Sequence, residues 1–249
     1  MELNNREGQE VPQVTFKQRR NGQLIDVESK DIFANRTVVV FALPGAYTPT
    51  CSSTHLPRYN ELADKLFANG VDEIVCLSVN DPFVMEAWGE HQEASHLTLI
   101  ADGNGEFTEG MGMLVDKSDL GFGRRSWRYS MLVRNGRIEK MFIEPQKPGD
   151  PFEVSDADTM LDYLNPSAGR PSFATVFSKP GCPYCARAKQ MLVDHHIAYE
   201  DISIGNRDIT TRSVRAMTGN ATVPQVWIDG KHIGGAEEVA EYFGEKATA

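Results

Sequence analysis

Four cysteines, Cys51, Cys76, Cys182 and Cys185, are the residues of this 249-residue chain best suited to chemistry. In a reducing compartment a cysteine is a buried small hydrophobe, a metal ligand or a redox group. Cys182 and Cys185 lie in Lys179-Pro180-Gly181-Cys182-Pro183-Tyr184-Cys185, between an apolar strand-like run and an amphipathic helical one. At a helix start, backbone N–H groups and the positive end of the dipole stabilise a thiolate on Cys182, and Lys179 adds a nearby positive charge. Cys185, one turn later on the same helical face, can attack a mixed disulfide on Cys182. Half of a zinc site is the competing reading. No second C-x-x-C or H-x-x-x-H completes it, so the pair reads as a redox dithiol with no metal. Cys51 follows Pro44-Gly45-Ala46-Tyr47-Thr48-Pro49-Thr50 and opens a helix, which activates it in the same way. The Thr48 hydroxyl can donate and accept hydrogen bonds to a small polar substrate at that sulfur. Cys76 stands between Val75 and Leu77 inside an apolar strand and reads as an inert buried thiol.

These thiols need strands to aim them and helices to cap them, and the chain supplies both twice. Arg36 to Gly45 is a continuous apolar run ending in Pro-Gly, the pattern of a buried central strand. Leu56, Tyr59, Leu62, Leu66 and Phe67 recur at helical spacing after Cys51, with Gly70 as the stop. Asp72 to Asn80 predicts a second strand, Phe83 to Ala94 a second helix and Leu97 to Asp102 a third strand. The glycine-containing stretch from Asp102 to Met113 lacks a phosphate-loop context and reads as a connector. Asn135-Gly136 between two apolar runs predicts a hairpin, and Ser155 or Asp156 caps a closing helix that ends at Leu164. Asn165 to Ser172, with two prolines and a glycine, reads as a linker. A second cycle follows: a strand at Phe173, a helix from Cys185 to about His196, a strand from Ile197 to Ile204 and a helix over Thr211–Thr218. A hairpin turning at Asp229-Gly230 and a helix from Ala236 complete it. Both halves read as α/β sheets of related topology. The pair His195-His196 at a helix end reads as a surface pair that the dipole favours.

The second half resembles the glutaredoxins throughout, on Gly181-Cys182-Pro183-Tyr184-Cys185 after a strand, Thr222-Val223-Pro224 before a strand, and Gly234-Gly235 before an acidic pair. The resemblance implies a cis Val223–Pro224 bond, with Thr222 and Val223 presenting backbone to a bound glutathione. Gly234 and Gly235 then allow close approach, Glu237 meets the glutathione amino group, and Lys179 and Tyr184 flank its carboxylate and sulfur. The departure is Ala236-Glu237-Glu238, where Cys-Asp-Asp or Ser-Asp-Asp is frequent. From about Val11 to Leu164 the chain resembles the V-type peroxiredoxins, on the P-x-x-x-T-x-x-C loop from Pro44 to Cys51, the following S-x-T-H-L-P and the later RYSMLV. This implies Cys51 as the peroxidatic nucleophile, which becomes a sulfenic acid. Thr48 and Arg128 then hold the peroxide oxygens, Arg128 favours the thiolate, and Pro44 shields the sulfur. His55 is either a tuning or a packing residue. Arg124 and Arg125 read as a solvated basic loop. The peroxiredoxin half shows no obvious resolving cysteine of its own.

Together the resemblances imply two thioredoxin-like α/β domains, each a central mixed sheet flanked by helices, over 1–164 and 172–249 with 165–171 between. They imply a glutathione-dependent thiol peroxidase for hydrogen peroxide and alkyl hydroperoxides, recycled by glutathione through Cys182 and Cys185. No bound cofactor is implied; glutathione is a co-substrate, fed by glutathione reductase and NADPH, and the assembly is a homo-oligomer, dimer or tetramer. Two other readings stay open: a redox-signalling or deglutathionylating protein, and an iron–sulfur-binding glutaredoxin module, against which Pro183 argues. With 25 Lys+Arg against 35 Asp+Glu the net charge is −10, which disfavours nucleic acid and anionic membrane surfaces. The longest apolar stretch, Val38 to Ala46, is too short for a bilayer. The N-terminal segment is polar, without a secretory apolar core, so the expected location is the cytoplasm.

Overall fold

Residues 3–20, 22–169, 172–195, 197–205 and 209–244 are described by a computed structural model, and the chain divides into two units, Met1–Gly169 and Arg170–Ala249. Arg170, Pro171 and His196, part of the expected linker and histidine pair, lie outside the described residues.

The first unit opens with β1 (Thr15–Arg20), β2 (Gln23–Glu28) and α1 (Ser29–Phe33), followed by β3 (Thr37–Leu43). After the Cys51 turn come α2 (Leu56–Glu61), α3 (Ala63–Ala68), β4 (Glu73–Ser78), α4 (Pro82–His91) and β5 (Thr98–Ala101). Then follow α5 (Glu106–Gly110), β6 (Leu114–Asp116), β7 (Arg124–Ser126), β8 (Tyr129–Arg134), β9 (Arg137–Ile143) and α6 (Ala157–Leu164). The central sheet runs β5-β4-β3-β8-β9, parallel among β3, β4 and β5 and antiparallel at β8 and β9. Its apolar strand β3 is covered on both faces. Val38, Val40 and Ala42 enter one core, and Val39, Phe41 and Leu43 the other, which is why the run is continuous rather than alternating.

The second unit holds β10 (Phe173–Ser178), α7 (Pro183–Asp194), β11 (Ala198–Ser203), α8 (Thr211–Thr218), β12 (Gln225–Ile228), β13 (Lys231–Gly234) and α9 (Ala236–Tyr242). The order is β11-β10-β12-β13, with β10 and β11 parallel and the rest antiparallel. Ala174, Val176, Leu192, Val226 and Val239 form its core. Both sheets are mixed and helix-flanked, the thioredoxin-like arrangement that the resemblance implies. In each, a thiol-bearing helical segment begins just beyond the carboxyl end of a strand in the sheet's interior.

Three expectations are corrected. The single helix after Cys51 is a five-residue π turn, Cys51–His55, followed by two short helices that part at Leu62. Pro57 explains the wide turn: it has no N–H for Ser53 and its ring crowds that carbonyl, so Leu56 N–H bonds back to Cys51 instead. The glycine-containing connector holds α5, because buried Asp102 accepts hydrogen bonds from Phe107 N (3.2 Å), Thr108 N (2.8 Å) and Thr108 Oγ1 (2.6 Å). Arg124 and Arg125 stand on a strand rather than a solvated loop. Their backbones pair with Asp116 and Val115, while the Arg124 side chain bonds Glu109. The cap of α6 is Asp156, which accepts from Thr159 N.

Candidate active sites

Cys51 is fully buried at the start of the π turn. The loop before it is pinned from β4: Ser78 Oγ donates to Asn80 Oδ1, which also accepts from Ala46 N at 3.0 Å. Tyr47 takes a φ of +61° within that loop, a conformation costly for a bulky residue and held there by these bonds. Thr48 Oγ1 donates to Gly45 O at 2.8 Å, and Trp88 Nε1 donates to Ser52 Oγ at 3.0 Å. Arg128, just ahead of β8, is 1% exposed and reaches the sulfur: Nη1 lies 3.5 Å from Cys51 Sγ. The same Nη1 is 3.1 Å from His55 Nδ1, and Nη2 donates to both oxygens of Asp150 at 2.6 Å. Arg128 Nε is buried and has no partner among the described residues.

The arginine fixes the histidine's tautomer. A guanidinium only donates, so His55 Nδ1 must accept, and Nε2 carries the proton that it donates to Ser155 O at 3.1 Å. Burial, and then the Arg128 charge, drop the His55 pKa to about 3, so the ring is neutral. Tyr59, kept protonated by burial, donates its hydroxyl to the same carbonyl. Ser155 is itself held by the buried Glu144 carboxylate, which accepts from Glu153 N, Val154 N, Ser155 N and Ser155 Oγ at 2.7–2.9 Å. Phe152 packs on His55 and beneath the guanidinium. Pro44, Thr48, Leu120, Phe122 and Asp150 help line an adjoining cleft of 570 Å³. Cys76, on β4 opposite Phe41 of β3, is fully buried; burial and the neighbouring Cys51 push its thiol up.

In the second unit Cys182 is the N-cap of α7 and its Sγ accepts from Cys185 N at 3.2 Å. Pro183 fits the first helical position, where no N–H is needed. Gly181 supplies a φ of +73°. The Val223–Pro224 bond is cis, and Val223 O lies 3.8 Å from Cys182 Sγ. Gly234 has a φ of +134°, and a Cβ there would meet Glu238 at 2.9 Å, so only glycine fits. Lys179, Tyr184 and Thr222 are exposed, and Gly235 and Glu237 are half-buried. Glu237 pairs with Arg187 of α7 at 2.7 Å, and Glu238 caps Gly235 N at 2.8 Å.

The Redoxin family matches residues 6–161 and the Glutaredoxin family residues 174–233. Over 241 residues, covering 97% of this chain and 100% of the relative, identity to the hybrid peroxiredoxin hyPrx5 of Haemophilus influenzae is 59%. The chain belongs to the hybrid peroxiredoxin–glutaredoxin family. Its peroxiredoxin unit is 44% identical to reduced Prx3 of Vibrio vulnificus solved with hydrogen peroxide (TM-score 0.60, 64% of this chain, 98% of that one). It also resembles the 1-Cys peroxiredoxin antioxidant protein of Plasmodium falciparum (32% identity, TM-score 0.62, covering 65% and 99%). Membership makes the chain a thiol peroxidase that carries a glutaredoxin domain.

The peroxiredoxin unit thus brings Cys51 and Arg128 together, with Thr48 and Pro44 on the adjoining cleft wall. The glutaredoxin unit gathers Cys182, Cys185 and Val223. Asp150, Ser155 and Glu144 carry the arginine's surroundings and were not foreseen from sequence. Their only signal there is a Pro- and Gly-rich loop after a strand, which names no partner. Among the described residues no group of three or more His, Cys, Asp or Glu is placed to hold a metal, and no helix is long and apolar enough to cross a membrane.

Proposed function

We propose that this chain is a glutathione-dependent peroxidase, working on hydrogen peroxide and alkyl hydroperoxides through Cys51 and recycled through Cys182 and Cys185. The observation that supports it best is Arg128 Nη1 at 3.5 Å from a fully buried Cys51 sulfur, in a chain that also carries a dithiol at a helix N-cap. Cys51 thiolate attacks one peroxide oxygen, the O–O bond breaks, and the alcohol or water leaves with a proton. The unpartnered Arg128 Nε–H is the donor available to the peroxide oxygens, and Thr48, whose hydroxyl hydrogen goes to Gly45 O, offers its oxygen as an acceptor for the peroxide O–H. Glutathione condenses with the Cys51 sulfenic acid, releasing water and leaving a mixed disulfide. Cys182 takes over the glutathionyl group, and a second glutathione, or Cys185, clears it as a disulfide. Lys179, Tyr184, Thr222, Val223, Gly235 and Glu237 are the proposed glutathione contacts around the cis Pro224. Glutathione reductase and NADPH close the cycle, no bound cofactor is needed, and the working form is a cytoplasmic homo-oligomer. Residues 1–164 and 172–249 are the proposed domains, with 165–171 linking them.

The test is peroxide consumption with glutathione, glutathione reductase and NADPH as the only reductants. Loss of activity in both Cys51→Ser and Cys182→Ser is expected. Activity kept by Cys51→Ser would refute the nucleophile. Activity kept by Cys182→Ser would mean that glutathione recycles Cys51 unaided.

A further inference from the structure

Beside the dithiol lies a group of side chains that none of the steps above uses. An open pocket of 460 Å³ is lined by Lys179, Cys182, Cys185, Lys189, Asp201 and Ser203, among others. Lys189 follows Cys185 by four residues on α7, so the two side chains share one face of the helix. Its ammonium is ion-paired with Asp201 of β11, and the side chain is only 23% exposed. Asp201 in turn accepts from Ser178 Oγ at 2.6 Å, and Ser178 is buried at the end of β10. A lysine at a surface ordinarily keeps its rotamer freedom; here Asp201, itself held by Ser178, ties it at the pocket wall. The other cation nearby on α7, Arg187, is committed to Glu237 of α9.

We propose that Lys189, clamped by Asp201 and Ser178, is a positioning residue for the second thiol. It holds positive charge against Cys185 and so favours the thiolate that attacks the mixed disulfide on Cys182. The inference rests on the dithiol reading of that pair. The step conserves electrons. Cys185 loses its proton to solvent and its thiolate attacks Cys182 Sγ. The Cys182–glutathione S–S bond breaks as the Cys182–Cys185 bond forms, and the departing glutathione thiolate takes up a proton.

The electrostatics of the pocket agree with its geometry. The Cys185 thiol is pushed up to about 11: burial, with the hydrogen bond and charge of Cys182, raises it, while a backbone hydrogen bond at Lys179 and the charge of Lys189 oppose them. Lys189 and Ser178 hold the Asp201 carboxyl low in spite of its burial, so it stays an anion that fixes the lysine. Once glutathione caps Cys182, that thiol no longer raises Cys185, which leaves burial opposed by Lys179 and Lys189.

Magnitudes set the form of the test. Each unit by which the Cys185 pKa rises removes about tenfold of its thiolate. The remaining thiolate gains about threefold in nucleophilicity, so the net loss is about threefold per unit. The experiment uses the full chain with Cys51→Ser, loaded with glutathione on Cys182 and mixed into buffers from pH 6 to 10.5 without free thiol. Lys189→Met is expected to release glutathione more slowly at neutral pH, by about threefold for each unit by which the Cys185 pKa rises. Its rate should then approach the parent's as pH rises toward the parent's midpoint, and Lys189→Arg should restore the parent curve. Lys189→Gln gives the same profile should the methionine variant not fold. A profile unmoved in the neutral variants, or slowed equally at every pH, overturns the role of Lys189. Cys185→Ser tests the underlying reading separately: release as fast as the parent's would overturn the dithiol step itself.

Discussion

Arg128 is asked to serve three partners at once: a sulfur, an imidazole nitrogen and a carboxylate. Lysine carries one point charge and cannot span them, so Arg128→Lys should behave much as Arg128→Gln. Both are expected to slow oxidation of Cys51 by hydrogen peroxide about 100-fold or more, the usual cost of one such donor, read by rapid mixing with tryptophan fluorescence. His55 makes a different prediction. Its folded pKa of about 3 lies below the unfolded value, so between pH 6.5 and 3 the unfolded chain binds the extra proton. Stability should fall as pH drops through that window, by up to about 1.4 kcal/mol per pH unit from this one group. His55→Gln should flatten the slope in urea titrations at pH 4 to 7; an unchanged slope would mean that other groups carry it. The thiols and Arg128 were legible because short local motifs carry them. The Asp150, Ser155 and Glu144 contacts were not, since they arise where a loop folds back on residues 22, 100 and 9–11 positions away.

At the scale of elements, turn chemistry read best. Asn135-Gly136 and Asp229-Gly230 each take positive φ at both residues, as a two-residue hairpin of the primed type requires, and hairpins form at both. The hairpin of β1 and β2 was missed because little more than Phe16 and Val27 is buried in it, too few to print an alternation. The π turn was missed because apolar spacing reports a helical face and not the hydrogen-bond step within it. That turn carries the nucleophile, and a fully buried sulfenic acid must be uncovered before glutathione can reach it. Pro57→Ala restores a donor for Ser53 O and should regularise the turn. About 1 kcal/mol of added hydrogen bonding corresponds to roughly fivefold slower opening. Sulfenic acid reduction should therefore slow by about that factor while the peroxide step is unchanged. Equal slowing of both steps would argue against a local opening.

At the scale of the whole molecule, each unit has its own core, so their activities should fail separately. Leu192→Ala empties a fully buried site in the second core and should cost about 2–5 kcal/mol there. On warming, glutathione exchange should be lost while hydrogen peroxide still oxidises Cys51; simultaneous loss would show that the two fold as one. The two-unit plan was legible because a strand, a thiol and a helix recur after a Pro- and Gly-bearing stretch. The sequence left open how deeply each thiol would lie, and the two differ sharply. Cys51 has no exposed surface, whereas Cys182 is half-buried at an open pocket. A bulky maleimide dye should therefore mark Cys182 and spare Cys51, Cys76 and Cys185. The native chain then offers a single attachment point for fluorescence, with no cysteine removed.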